Sequence, residues 1–303
     1  MIEIRHRHSN EVIRRLDADS LVGVDFREDN LDNADFRGQN LSGALLQGTS
    51  LRGCDLRDAR LQGALLVDAD LSDADLEGAL MQSALLTGAH LDNANLDSAD
   101  MQGAKLGDAN PGRSAVLSHC SLRDARLIAC DMRRVDLHGA DLREADLCRA
   151  DLSDAYMPDV NLAEAYLGSA SFISADMRGA NLSHAYLCNA HLNGAILVGA
   201  RLDGARMGGD ECIPVNLTLA NLSNASLVGA NLRGAIIRDV KLRNADLTGA
   251  DLSEALVDGA LFRHTNVTDA NFANVNLFYT TCTFSNFSQA RNAAIPDWKM
   301  NIR

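Results

Sequence analysis

The side chains able to do chemistry are scattered along this chain. Eight histidines, seven cysteines and 41 acidic residues are spread from end to end. His6 and His8 stand two apart, on one face of an extended segment, but no further ligand lies near them in sequence, and two imidazoles alone do not make a metal centre. The cysteines are odd in number and show no CxxC or CxH spacing, so neither a disulfide framework nor a zinc site is expected, and the thiols are read as reduced. No Gly-rich phosphate loop, GxSxG, HExxH or EF-hand pattern stands in a suitable context. The expectation is a protein that is not an enzyme and takes no cofactor or metal.

The elements that would have to position these groups are of one kind. A leucine-type residue recurs every five positions from Leu21 through Phe26, Leu31 and Phe36 to Leu106, and again from Leu117 to Phe287. Of these 53 centres, 51 are Leu, Phe, Met, Ile or Val, the exceptions being Cys212 and Cys282. Ala stands two residues before the centre in 36 of the 53 units, so the unit reads Ala-Asp/Asn-Leu-x-Gly/polar. A period of five fits neither a helix nor a strand. Four units per turn fit it: each unit forms one side of a square coil, the large centre and small Ala point inward, and Gly, as at Gly38 and Gly43, eases the corner. A small-residue site also suits Cys54, Cys120 and Cys130. The fold class expected is therefore all-β, a right-handed quadrilateral parallel β-helix of about 13 coils at ~4.8 Å per coil.

The organisation follows from where the repeat holds. Residues 1–20 alternate Ile2, Ile4 and then Val12, Ile13, Leu16 around Ser9-Asn10-Glu11, and are expected to form a β-hairpin cap over an otherwise open end. Residues 21–109 make a first stack and 117–289 a second. Between them, 110–116 is read as a break that slips the register by one residue, with Gly112 and Arg113 at its turn. A further irregularity, 208–215, keeps the register with Cys212 as a centre and is expected to bulge outward with Asp210 and Glu211. Residues 290–303 are a tail or second cap. Phe278, Tyr279 and Phe284 fall at exposed positions near that end, so together with Trp298 they are candidates for a self-cap or a homodimer contact.

Stacking by 20 residues lines up Asp25, Leu45, Leu65, Leu85 and Lys105, continuing to Arg126, Asp146, Tyr166, Tyr186 and Arg206 if the break preserves the face. Leu45, Leu65 and Leu85 are not needed by the core and are candidate partner contacts. The same stacking aligns Asp35, Asp55 and Asp75, which together with Gly112, Arg113, Asp210 and Glu211 are further candidate partner contacts.

Net charge is −13, which argues against direct nucleic-acid binding and for basic partners. The charge is uneven: residues 21–109 carry 6 basic and 16 acidic side chains, whereas 110–303 carry 18 and 21. The first stack then has about one net charge per 2 Å, near the one per ~1.7 Å of duplex DNA. No run of apolar residues is long enough to span a membrane, and the charged N-terminus does not resemble a signal peptide, so a cytoplasmic location is expected.

The pattern Ala-Asp/Asn-Leu-x-x resembles the pentapeptide-repeat family over residues 21 to 289. That resemblance implies the square coil. Some members, the quinolone-resistance proteins among them, act as DNA mimics on DNA gyrase and consist of two stacks with a one-residue break at a glycine, which Gly112 matches. What the resemblance implies is a protein partner, DNA gyrase or another type II topoisomerase. The alternative expectation is a protein-interaction scaffold for some other partner.

Overall fold

A computed structural model describes residues 1–107 and 114–296. They fall into two compact units, Met1–Tyr156 and Met157–Arg303. In each, five-residue sides succeed one another and parallel bridges join residues 20 apart, as in Asp35↔Asp55, Leu45↔Leu65 and Asn181↔Arg201. Twenty residues divided into sides of five give four sides per coil.

One unit shows how the sequence closes its backbone hydrogen bonds. The N–H groups of Leu66 and Asp68 donate to Leu85 and Thr87 on the next coil, at 2.7 and 3.0 Å. The N–H of Leu65 donates backward to Ala44 at 2.9 Å, and that of Ala69 closes a turn onto Leu66 at 3.1 Å. Four of five amides are thus satisfied by backbone. The fifth, that of the residue after the centre, is satisfied by the consensus Asp or Asn: Ser72 N–H donates to Asp70 Oδ1 at 3.0 Å, and Ser42 N–H to Asn40 Oδ1 at 3.1 Å. Asp and Asn recur before the centre because their short side chains reach the amide two residues on.

The interior obeys a size rule. Leu66, Leu71 and Leu76 and their partners Ala64, Ala69 and Ala74 are all buried, so large and small side chains alternate to fill a narrow tube at crystal-like density. Where Thr or Cys replaces Ala, its polar atom finds a carbonyl one coil back: Thr49 Oγ1 donates to Phe26 O at 2.8 Å, and Cys54 Sγ to Leu31 O at 3.0 Å. Corner residues have φ near +60°, whether Gly38 (64°) or Asn33 (58°). Asn and Asp tolerate that region.

At the start, β1 (Ile2–Arg5) and β2 (Val12–Leu16) form an antiparallel hairpin. Its outer edge pairs with the first coil: Asp35 N–H donates to Arg5 O at 2.8 Å, and Arg7 N–H to Asn33 O at 2.7 Å. Pairing of this kind blunts an edge that would otherwise recruit another chain.

At both interruptions the phase is as read from the sequence, but the coil-to-coil spacing is longer. Bridges that cross the first, His90↔Val116 and Lys105↔Asp131, join residues 26 apart, and those that cross the second, His191↔Asn216 and Arg206↔Asn231, join residues 25 apart. The first spacing is thus six residues longer than a coil (26 − 20), one more than a whole unit, and the second is five longer (25 − 20), a loop out of the coil. At each neck the chain closes on itself: Ala115 N–H donates to Leu106 O, and Val215 N–H to Met207 O, both at 2.8 Å. Periodicity hid this, because five looped-out residues make a full unit's length and leave the phase of the downstream centres unchanged. Cys212 is accordingly half-exposed on a loop. It is not a core centre.

The longer spacing across the first interruption also moves the ladders by one side. Lys105 bridges Asp131, and Asp131 bridges Asp151, so the leucine ladder runs into those aspartates. Arg126 and Asp146 instead follow Asp100 on another side. The sequence expectation that Lys105 leads to Arg126 fails because the face is not preserved.

Candidate protein-binding surfaces

The four sides of residues 25–103 differ sharply in character. The side through Asn30, Ser50, Asp70 and His90 carries Asp29, Asp32, Asp70, Asp73 and Asp92 against Arg52, a net of −4. The next side, through Asp35, Asp55, Asp75 and Asn95, carries those three aspartates with Asp58, Glu77 and Asp97 against Arg37 and Arg57, a net of −4. The side through Asn40, Arg60, Leu80 and Asp100 is neutral, and the leucine side is −2, from Asp25, Glu28 and Asp68 against Arg27. Acidic charge is therefore concentrated on two adjacent sides.

Within that patch the carboxylates are not equivalent. Asp35, Asp55 and Asp75 stand in one ladder, and each accepts the amide two residues on, from Arg37, Arg57 and Glu77 at 3.1, 3.3 and 3.4 Å. Asp55 is 1% exposed. Its Oδ2 receives Arg37 at 2.6 Å and Arg57 at 2.7 Å. Hydrogen bonds from Arg57, against the opposing effect of burial and with help from Arg37, hold its carboxyl well below the usual carboxylate range. Arg57 also reaches Asp75 at 3.4 Å. Asp32 and Asp97 accept the amides of Arg52 and Arg123 on the next coil, at 3.2 and 3.1 Å, whereas Asp58, Asp73, Glu77 and Asp92 carry charge that the repeat's own backbone pattern does not require.

Leu45, Leu65 and Leu85 do stack on one side, joined by successive bridges. Leu85 is 38% exposed and the other two half-exposed. Each stands where the repeat calls for Asp or Asn and its side chain can accept nothing, so the amides of Gln47, Val67 and Thr87 lose the side-chain partner that their counterparts have. At the head of this ladder Asp25 is closed by Arg27, with contacts of 2.9 and 2.7 Å, which bring its carboxyl down to about 2.

The second unit carries a surface that sequence reasoning missed. Cys188 and Cys212 form a disulfide with Cα atoms 5.2 Å apart. Two of the seven cysteines are therefore oxidised, against the expectation that all are reduced. The pairing was hidden because it depends on the loop: with five residues out of the coil, Cys212 folds back beside a residue one level below. Asp210 and Glu211 are exposed on this loop, and Asp210 meets Arg233 at 2.7 Å. Across a concavity from them, Tyr186 stacks on Tyr166 with ring centroids 5.0 Å apart, and the Arg206 guanidinium lies 4.9 Å over the Tyr186 ring.

At the other end of this unit Phe262, Phe272 and Phe287 pack on one another, with centroids 5.2 to 6.1 Å apart, as core residues. Phe278, Tyr279 and Phe284 are 50, 67 and 56% exposed. Phe278 meets Tyr279 edge-on at 4.9 Å, and Phe284 stacks on His264 at 4.7 Å. Gly112, Arg113 and Trp298 lie outside the described residues. Among the described residues no group of three or more His, Cys, Asp or Glu could hold a metal ion, and no helix is long and apolar enough to cross a membrane.

No curated protein matches this chain in sequence. Among solved structures, HetL, a pentapeptide repeat protein involved in heterocyst differentiation regulation from the cyanobacterium Nostoc, is 30% identical over 80% of this chain and 89% of its own, with a TM-score of 0.32. QnrB1, a plasmid-mediated fluoroquinolone resistance protein, is 19% identical over 79% and 91%, with a TM-score of 0.34. Rfr23 from the cyanobacterium Cyanothece is 27% identical over 41% and 89%, with a TM-score of 0.24. The pentapeptide repeats family matches in eight copies, at residues 20–58, 54–84, 74–110, 113–147, 145–183, 170–209, 216–253 and 258–291. With the repeat read from the sequence, its hydrogen-bond logic seen in the structure and the family model matched over most of the length, the chain belongs to the pentapeptide-repeat family.

Proposed function

We propose that this protein is a non-catalytic protein-binding module that presents two adjacent acidic sides of its first unit to a partner whose basic cleft ordinarily holds duplex DNA, a type II topoisomerase such as DNA gyrase. The observation that carries the reading is the charge asymmetry: a net of −4 on each of two neighbouring sides of residues 25–103, against 0 and −2 on the others. Carboxylates repeating up a coil every ~4.8 Å on adjoining sides offer a basic cleft a regular array of anions. Asp58, Asp73 and Glu77 are the charges most available for it, since Asp55 is buried between two arginines.

The test is a gyrase supercoiling assay with purified protein titrated in, with and without a quinolone, together with a binding titration at low and high salt. Binding that weakens as salt rises, and that is reduced by the triple change Asp58→Ser, Asp73→Ser, Glu77→Ser, is the expected result. Absence of binding, inhibition and protection at low salt overturns the proposal.

A second reading has its own observation. Leu45, Leu65 and Leu85 forgo the side-chain bonds that the repeat otherwise makes, on the side next to the acidic pair, and an apolar stripe kept at that cost fits a scaffold for a protein partner. Under this reading Leu65→Asp abolishes partner capture while the acidic triple variant retains it. The first reading expects the reverse.

A further inference from the structure

The Cys188–Cys212 bond joins the only loop that the second unit's coil throws out among its described residues to the side one level below. Three other ties hold that loop: the neck bond of Val215 to Met207 at 2.8 Å, the bond of Asn189 N–H to Ile213 O at 2.6 Å, and the ion pair of Asp210 with Arg233 at 2.7 Å. The neck is close-fitting, since a Cβ on Gly208 would lie 2.0 Å from Arg233 O. Beyond it the loop is open to solvent: Asp210, Glu211 and Ile213 are exposed, Ile213 at 65%. Both cysteines of the bond are half-exposed and line the same concavity as Tyr186, Arg206 and Asn231. The loop forms one wall of that concavity.

Three of the five free cysteines, unlike the half-exposed Cys148 and Cys282, are placed quite differently. Cys54, Cys120 and Cys130 are buried, each with its Sγ donating to a backbone carbonyl, of Leu31, Leu91 and Met101. Burial pushes the Cys54 and Cys130 thiols up to about 12. Such thiols are inert to exchange. An accessible bond set across a surface loop is where exchange can occur.

We propose that Cys188 and Cys212 are a thiol–disulfide modification site, a reversible latch that docks residues 208–214 against the Tyr186–Arg206 surface when oxidised and frees them when reduced by a dithiol. The thiolate of the reductant attacks one sulfur, a mixed disulfide forms, and the other cysteine leaves as a thiolate. The second thiol of the reductant then displaces the remaining cysteine, so two electrons pass to the protein, each cysteine takes up a proton, and the reductant ends as a cyclic disulfide. Reduction leaves the coil intact, since no core residue belongs to the bond, but removes the wall that carries Asp210 and Glu211. The proposal concerns the second unit and stands apart from the acidic sides of the first.

The experiment uses the full-length protein with dithiothreitol as the dithiol. Iodoacetamide labelling of the folded protein followed by mass spectrometry should show Cys188 and Cys212 protected before reduction and both labelled after it. Cleavage after Glu211 by a glutamate-specific protease should quicken at least about tenfold on reduction, as expected when a local opening is released. Oxidised glutathione should restore the slow rate. Before reduction the two fragments should stay joined on a non-reducing gel. The variant Cys212→Ser should be cut at the fast rate in either condition, with the circular-dichroism unfolding curve of the wild type. Labelling of both cysteines without reduction, or equal cleavage rates of oxidised and reduced wild type, overturns the proposal without recourse to any variant.

Discussion

Replacing Asp55 by Asn tests whether the centre of the acidic patch is a structural pin or a contact. Asn keeps an oxygen for the Arg57 amide and the volume of the side chain, but removes the charge that faces Arg37 at 2.6 Å and Arg57 at 2.7 Å. Breaking a fully buried pair costs about 3–5 kcal/mol. Here the two arginine side chains are 53 and 37% exposed, so they rehydrate when the partner goes. The loss is then nearer that of one hydrogen bond to a charged group, about 2 kcal/mol. For a cooperative unit of this size that lowers Tm by about 4–8 °C. Because the carboxyl is held below its ordinary value in the folded protein, its contribution is complete above the unfolded value near 3.9 and is lost as pH falls further. Thermal melts by circular dichroism at pH 7 and pH 2 should therefore show a gap between wild type and Asp55→Asn that narrows in acid. A variant within about 0.5 kcal/mol of wild type at pH 7, the range of ordinary surface substitutions, refutes the reasoning. A gap that persists undiminished at pH 2 refutes it equally.

The interior size rule predicts that Ala69→Leu, at a fully buried small site, overpacks the tube and costs roughly 1–3 kcal/mol in a urea melt. Gly208→Ala should displace the neck of the loop, because the new Cβ meets backbone at 2.0 Å; protease cutting after Glu211 should rise while the unfolding transition of the coil is kept. Cys54, Cys120 and Cys130 should stay unreactive toward a thiol reagent at pH 8 until the protein is unfolded, since burial raises all three thiols. Leu65→Asp should retain the fold, and even supply Val67 with the amide partner that its counterparts have, so any loss of partner binding in this variant reports the surface itself.

The sequence by itself determined the coil. A leucine-type centre every five residues with Ala two before it admits one packing solution, and the core found in the structure, from Phe26 and Leu31 through Leu66 and Ala69 to Phe262, is the one that pattern names. It did not reveal why Asp and Asn precede the centre, because that depends on a bond from the amide two residues later, as from Ser72 to Asp70, which only the turn geometry brings within reach. The bulge at 208–215 was legible, but its size was not, for a physical reason. A loop that removes five residues from a five-residue repeat keeps the downstream phase, so Cys212 looked like a core centre. Only the bridges 25 and 26 residues apart expose the missing sides, and with them which ladders continue into which. Function inherits that division: the acidic excess of residues 21–109 was countable from composition, but its concentration on two adjacent sides, the arginines that close over Asp55, and the meeting of Cys188 with Cys212 are relations across coils. Contacts 18 to 26 residues apart are set by how many residues leave the coil at each neck, and no local pattern carries that number.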